Sequence, residues 1–188
     1  MSGHPTDNIP DAELFSRLAG PKDTAEAAFA ELYARYGGRV FAYCLRFLGH
    51  RDEAQDVYQE TFIRFFESAR QSREMTNVPG YLLKIARNLC LNCRRNKKQT
   101  VEFEDYQSRV PPPSVEKNEF LELITTALDM LPDEYREVFV LREYEGLSYA
   151  EIAEIVDASL SSVKVRIFRA KQKIRDILAP YIEEFSEK

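Results

Sequence analysis

Apolar side chains recur at steps of three and four along most of the chain, the period of an amphipathic helix, and every predicted element is a helix. The pattern is clearest from Leu147 to Leu178. Ser148 and Glu151 form an S-x-x-E capping box, which predicts a helix starting at Tyr149. Ile152, Ala153 and Val156 give that helix an apolar face. Asp157-Ala158-Ser159 then interrupts the period. Asp tolerates a left-handed backbone and can make the turn, and Ser159 is a favoured N-cap for a following helix. In that helix Leu160, Val163, Ile167, Ala170, Ile174 and Leu178 are expected to form one buried face.

The rest of the chain predicts two small helical domains joined by a flexible linker, an all-α fold with a helix-turn-helix in the C-terminal domain. Residues 1–10 are polar and expected to be disordered. Asp11 can cap a short helix, Ala12 to Leu18, which stops before Gly20-Pro21. A helix from Thr24 carries Phe29, Leu32, Tyr33 and Tyr36, and Gly37-Gly38 is expected to break it before another starts at Arg39. From Asp52, Ala54, Val57, Tyr58, Phe62 and Phe65 share an inner face, while Asp56, Gln59, Glu60, Ile63 and Glu67 form a second stripe. That stripe mixes acids, an amide and an apolar side chain, as a protein-binding surface would. A polar loop, 71–80, precedes a helix opening at Tyr81, with Leu82, Ile85, Ala86 and Leu89 inward. Residues 97–114 have no apolar period and contain Pro111-Pro112-Pro113, which forbids a helix and stiffens the chain. The expected domains are therefore 1–96 and 115–188, with a helix from Val115 and another after Leu131-Pro132.

Charge sharpens this picture. The net charge is −5, yet 12 of the 26 Lys and Arg residues lie in two acid-free stripes. One is Tyr81 to Lys98, with Lys84, Arg87, Arg94, Arg95, Lys97 and Lys98. The other is Leu160 to Arg175, with Lys164, Arg166, Arg169, Lys171, Lys173 and Arg175. Residues 100–145 are strongly acidic, so the positive charge forms two separate footprints. Composition excludes several classes. Seven glycines without a Gly-rich loop argue against nucleotide chemistry, and His4 and His50 leave little for acid–base or metal chemistry. Three cysteines make no disulfide framework. Cys90 and Cys93 form a C-x-x-C, but a structural zinc site wants four ligands and no second pair exists. No metal, cofactor or catalytic constellation is expected. No membrane-spanning run or signal peptide is visible, and a cytoplasmic location is expected.

A short helix, a tight turn and a basic second helix are what helix-turn-helix proteins use, the second helix entering the major groove by its N-terminal residues. Ser161, Ser162, Lys164, Val165 and Arg166 occupy those positions, with Arg169 and Lys173 further along. A solvated basic helix packed on a neighbour would show the same spacing. The Tyr81 helix and the loop before it combine cations, amides and an aromatic, which suits single-stranded DNA.

Taken together, the stretches DEAQDVYQETFIRFF, YLLKIARNLCLNCRR, LPDEYREVFVLREYEGLSYAEIAEIV and SSVKVRIFRAKQKIR resemble, in order and spacing, a bacterial RNA polymerase sigma factor of the extracytoplasmic-function (ECF) group of the sigma-70 family. The resemblance spans about Asp11 to Leu178. It implies a promoter-specificity subunit without catalysis of its own. Asp56, Gln59, Glu60 and Ile63 would contact the clamp of the polymerase largest subunit, with the β flap as a further contact of the core enzyme. Thr76, Asn77, Tyr81, Lys84, Arg87, Asn88, Asn92 and Arg95 would melt and hold the −10 element as single strand. Ser161, Ser162, Lys164, Val165, Arg166, Arg169 and Lys173 would read the −35 element as duplex. The linker, with Glu102, Glu104 and Asp105, would thread toward the RNA exit channel, and an anti-sigma factor or other regulator is an implied partner. Departures from the family pattern are Tyr81 for Trp, Asn92 for Asp, Cys93 for Arg, Asp157 for Gly and Phe168 for His. Two other readings fit parts of the chain: an ordinary helix-turn-helix regulator that binds duplex DNA as a dimer, which leaves the Asp52 to Glu67 stripe and the second basic helix unexplained, and a sigma-like decoy that binds only an inhibitor, which should have lost the basic stripes.

Overall fold

The computed structural model describes residues 9–71, 75–101 and 119–186, and among them every regular element is an α-helix. In chain order these are α1 (Asp11–Arg17), α2 (Lys22–Leu48), α3 (Arg51–Gln71), α4 (Val78–Val101), α5 (Glu119–Met130), α6 (Asp133–Glu143), α7 (Tyr149–Val156) and α8 (Leu160–Ser186). They divide into two compact units, Met1–Leu45 with His50–Cys90, and Arg46–Gly49 with Leu91–Lys188. The expected disorder of residues 1–10, the triple proline, the acids Glu102, Glu104 and Asp105, and the helix start at Val115 lie wholly or mostly outside the described residues.

The first unit is built on aromatic packing. Phe62 and Phe65 of α3 are buried and meet Phe29, Tyr33 and Tyr58 around Phe62, and Phe15 of α1 and Tyr81 of α4 around Phe65. Ring centroids in this cluster lie 4.8 to 6.5 Å apart; Phe29, Tyr58 and Phe65 meet Phe62 edge to face, which adds attraction to their burial, while the Tyr33–Phe62, Phe15–Phe65 and Phe65–Tyr81 pairs are tilted. Ala54, Val57, Thr61 and Ala69 complete the inner face of α3, and Thr61 hides its hydroxyl by donating to the Val57 carbonyl at 2.7 Å. The seven-residue α1 is too short to persist alone. It buries Leu14 and Phe15, and Arg35 of α2 ties it down, donating to Asp11 at 2.8 Å and to the Ile9 carbonyl at 2.9 Å. Tyr36 donates to the same Asp11 carboxylate, and burial with that bond pushes its phenol up to about 12.

Helix α2 overturns one expectation. Gly37-Gly38 does not break it; one helix of 27 residues runs through both glycines. Each mid-helix glycine costs about 1 kcal/mol relative to alanine, but the helix is held along its length by buried Leu32, Val40, Tyr43, Cys44 and Phe47. Gly37 also has a positive use, because a Cβ there would come within 2.9 Å of the Tyr58 hydroxyl. A smaller shift occurs at α4, which starts at Val78 rather than Tyr81. The side chain of Asn77 caps it, accepting from the Gly80 amide at 2.9 Å.

In the second unit α8 packs against α5, α6 and α7. Leu128, Leu131 and Ala170 are buried together, with Ile124, Tyr135, Phe139 and Ile174 packed around them. Val138, Val140 and Leu141 of α6, Ile152, Ile155 and Val156 of α7, and Val163 and Ile167 of α8 fill the rest of this core. Among the described residues no helix is long and apolar enough to cross a membrane, and no cluster of His, Cys, Asp and Glu could hold a metal ion.

Candidate nucleic-acid interface

The α7–turn–α8 motif forms as its residues dictate. The Glu151 amide donates to Ser148 Oγ at 3.2 Å, and the Ser148 amide donates to Glu151 Oε2 at 2.8 Å, a reciprocal capping box. Asp157 takes the left-handed conformation, φ 53°, and ends α7. Ser159 then caps α8 by accepting from the Ser162 amide at 3.2 Å. Val163, Ile167 and Ala170 turn inward, which leaves Ser161, Lys164, Val165, Arg169 and Lys173 exposed on the other faces, with Ser162 half-buried.

One expectation about α8 needs correction. Leu160 is not part of the buried face; it is 46% exposed at the first residue of the helix, whereas Val163, one turn on, is buried. Arg166 is drawn toward α6. Its Nη1 donates to Glu137 Oε1 at 3.5 Å and its Nε lies 3.8 Å from Glu134 Oε2, both on α6. Lys171 is also paired, with Glu143 at 2.8 Å. Beside Arg166 a cleft of about 410 Å³ is lined by Glu134, Tyr135, Ser159, Ser161, Ser162, Val165 and Arg169. Periodicity also passes over Phe168, which is 64% exposed on the same helix. Its signal in the sequence is an aromatic residue falling outside the apolar register.

Helix α4 presents Lys84, Asn88, Asn92 and Arg95 to solvent, with Arg87 half-buried. Arg87 donates to Asn88 at 3.0 Å and Arg95 to Asn92 at 3.2 Å, so cations and amides are held as adjacent pairs. Tyr81 is half-buried, its ring centroid 6.3 Å from that of Phe65. Thr76 and Asn77 are exposed just before the helix; the Asn77 carbonyl oxygen is engaged in the cap. The inner face contains Leu82, Leu83, Ala86, Leu89 and Cys90, whereas Ile85 and Cys93 are only half-buried.

The second stripe of α3 lies outside the aromatic core. Asp56 and Gln59 are exposed, Glu60 pairs with Arg64 at 2.7 Å, and Ile63 is 53% exposed amid these polar groups. An exposed isoleucine ringed by acids and an amide is an apolar anchor with a polar rim, the anatomy of a protein interface.

Comparison with known proteins gives a consistent picture. The family profile for sigma-70 region 2 matches residues 32–100, and that for sigma-70, region 4 matches residues 121–174. The chain is 36% identical over 172 residues to the ECF RNA polymerase sigma factor SigE of Mycolicibacterium smegmatis, covering 87% of this chain and 66% of that one. It is 30% identical over 172 residues to the RNA polymerase sigma-H factor of Pseudomonas aeruginosa, covering 84% and 89%. It is also 30% identical over 174 residues to the ECF RNA polymerase sigma factor SigW of Bacillus subtilis, covering 85% and 93%. Among solved structures, the sigma factor RpoE of Bartonella quintana, in complex with the anti-sigma factor NepR, shares the fold with a TM-score of 0.67 at 22% identity, over 80% of this chain and 96% of that one. CnrH, in complex with the cytosolic domain of CnrY, shares it with a TM-score of 0.68 at 24% identity, over 90% and 97%.

Proposed function

Since the chain belongs to the sigma-70 family of RNA polymerase sigma factors, in its ECF group, we propose that it is a dissociable promoter-specificity subunit that binds core RNA polymerase and directs initiation at promoters with −10 and −35 elements. The observation that carries this reading is the coexistence of two unlike surfaces on one chain. An acid-rimmed Ile63 on α3 suits a protein partner, and an acid-free stretch of α8 after a capped turn suits duplex DNA.

In this reading Asp56, Gln59, Glu60 and Ile63 dock on the largest-subunit clamp. The division into 1–96, a 97–114 linker whose first residues, to Val101, continue α4 rather than starting an irregular segment, and 115–188 separates melting from duplex reading. Thr76, Asn77 and α4 from Tyr81 to Arg95 hold the opened −10 strand, where paired amides and cations meet base edges and phosphates. Ser161, Ser162, Lys164, Val165, Arg166, Arg169 and Lys173 face the −35 duplex, with α7 bracing the backbone. The C-terminal unit lies by the β flap. The protein works in the cytoplasm and contributes no catalytic step. An anti-sigma factor holds it until a signal releases it; the Bartonella sigma factor of the same fold is found bound to such a protein, NepR.

Flipped bases cost a few kcal/mol each in stacking and pairing, more than one short segment and a helix supply alone. Permanganate footprinting on promoters mapped by transcription with core polymerase tests the assignment. Reactive thymines near −10 are expected only with core polymerase and this chain together. Reactivity with the chain alone would place melting in the wrong agent, and mapped starts without a shared −10/−35 pair would overturn the reading.

A further inference from the structure

Arg166 is the second of six cations in the acid-free run of α8, where an extended arginine would reach the nearest phosphate. It is instead drawn toward α6. Of its two acidic neighbours, Glu134 is 53% exposed and 3.8 Å away, so solvent screens it. Glu137 differs: its side chain is only 3% exposed, and it accepts a hydrogen bond from Arg166 at 3.5 Å. A carboxylate withdrawn from water holds a cation more firmly than a solvated one, because the effective dielectric is lower and its own solvation has already been given up. The arginine keeps 28% of its side chain exposed, on the rim of the cleft lined by Ser159, Ser161, Ser162 and Arg169. Arg166 thus borders a cleft shared with the N-terminal residues of α8, the part that meets base edges in this motif.

We propose that Glu137 is a specificity-determining positioning residue of the −35 reader: it withholds Arg166 from the phosphates and presents the guanidinium to a base edge in the major groove. The inference rests on the −35 reading above. It separates the two things an arginine can do on DNA. A mobile arginine strengthens binding to every sequence by releasing counterions, whereas a fixed one adds discrimination. A buried acid behind a reading arginine therefore lowers affinity for wrong sequences and preserves it for the right one.

The test uses the full chain, wild type, Glu137→Gln and Arg166→Gln, with two fluorescent duplexes. One carries the −35 segment of a promoter mapped with the holoenzyme; the other carries the same bases scrambled. Affinities are measured across a salt series. For Glu137→Gln, freed Arg166 should raise scrambled-duplex affinity by roughly threefold, steepen the salt slope by about 0.9, and cut the preference for the −35 duplex by about tenfold. A merely structural role would lower both affinities together. Should Glu137→Gln fail to fold, Arg166→Gln carries the test: the preference should fall by about tenfold with the salt slope on the scrambled duplex unchanged. A slope shallower by about 0.9 would show the arginine already on phosphate and overturn the proposal. A wild-type preference untouched by either variant would overturn it too, while leaving the −35 reading intact. No preference in the wild-type chain, at promoters the holoenzyme still uses, would sink the −35 reading itself and this inference with it.

Discussion

Two adjacent glycines in α2 do opposite things. A Cβ on Gly38 would meet nothing within 4 Å, whereas one on Gly37 would approach the Tyr58 hydroxyl to 2.9 Å, with Tyr33 ring atoms at 3.8 Å. Gly38→Ala should therefore stabilise the chain by about 0.5–1 kcal/mol, through helix propensity and a less disordered unfolded state. Gly37→Ala should destabilise it, because the Tyr58 ring is itself held by Tyr33, Phe41 and Phe62 and has little room to move. Urea midpoints of the two variants check this, and equal shifts would contradict it. The pair also shows why the break expected at Gly37-Gly38 does not occur. Local propensity records the penalty of each glycine, but not the ring from α3 that needs one of them. Arg166 teaches the same lesson about the site. Its place in a basic run is visible in the order of residues, but its partner Glu137 lies 29 positions earlier, and no local period connects them.

Among the elements, α7 and α8 are legible in outline because their caps involve bonds between residues no more than three apart. Ser148→Ala should cost about 1 kcal/mol by removing one side of the capping box. Asp157→Gly should add up to about 1 kcal/mol, since glycine takes the left-handed φ of 53° without a Cβ penalty. Thermal melts of the full chain distinguish the two by sign. The limit of periodicity shows at Leu160: spacing identifies the inward face of a helix but not where its neighbours end. Helix α3 has its informative face outside the core. Asp56→Arg combined with Gln59→Ala touches exposed side chains only, so folding should be unchanged while copurification with core polymerase is lost. Retained copurification would mean the Ile63 stripe is not the docking surface.

For the molecule as a whole, a net charge of −5 coexists with DNA binding because acids and bases are segregated, and some of the acids of α6 are directed at α8. Lys171 and Lys173 illustrate the result. Both are exposed lysines two positions apart, but Lys171 lies 2.8 Å from Glu143, while Lys173 has no ion-pair partner among the described residues. Lys173→Gln should make the salt slope for duplex binding shallower by about 0.9, and Lys171→Gln by less than half as much. Anisotropy titrations at several salt concentrations decide it, and equal changes would show that the Glu143 pair opens on DNA. The pairing of α8 cations with α6 acids also has a temporal side. Among variants of one interface, affinity differences appear mostly in how fast complexes fall apart, and a chromosome offers about 10⁶–10⁹ wrong sites for every right one. If α8 reads the −35 duplex as proposed, a helix with part of its charge already engaged should leave those sites sooner, and the search for a promoter should consist of many brief visits rather than a few long ones.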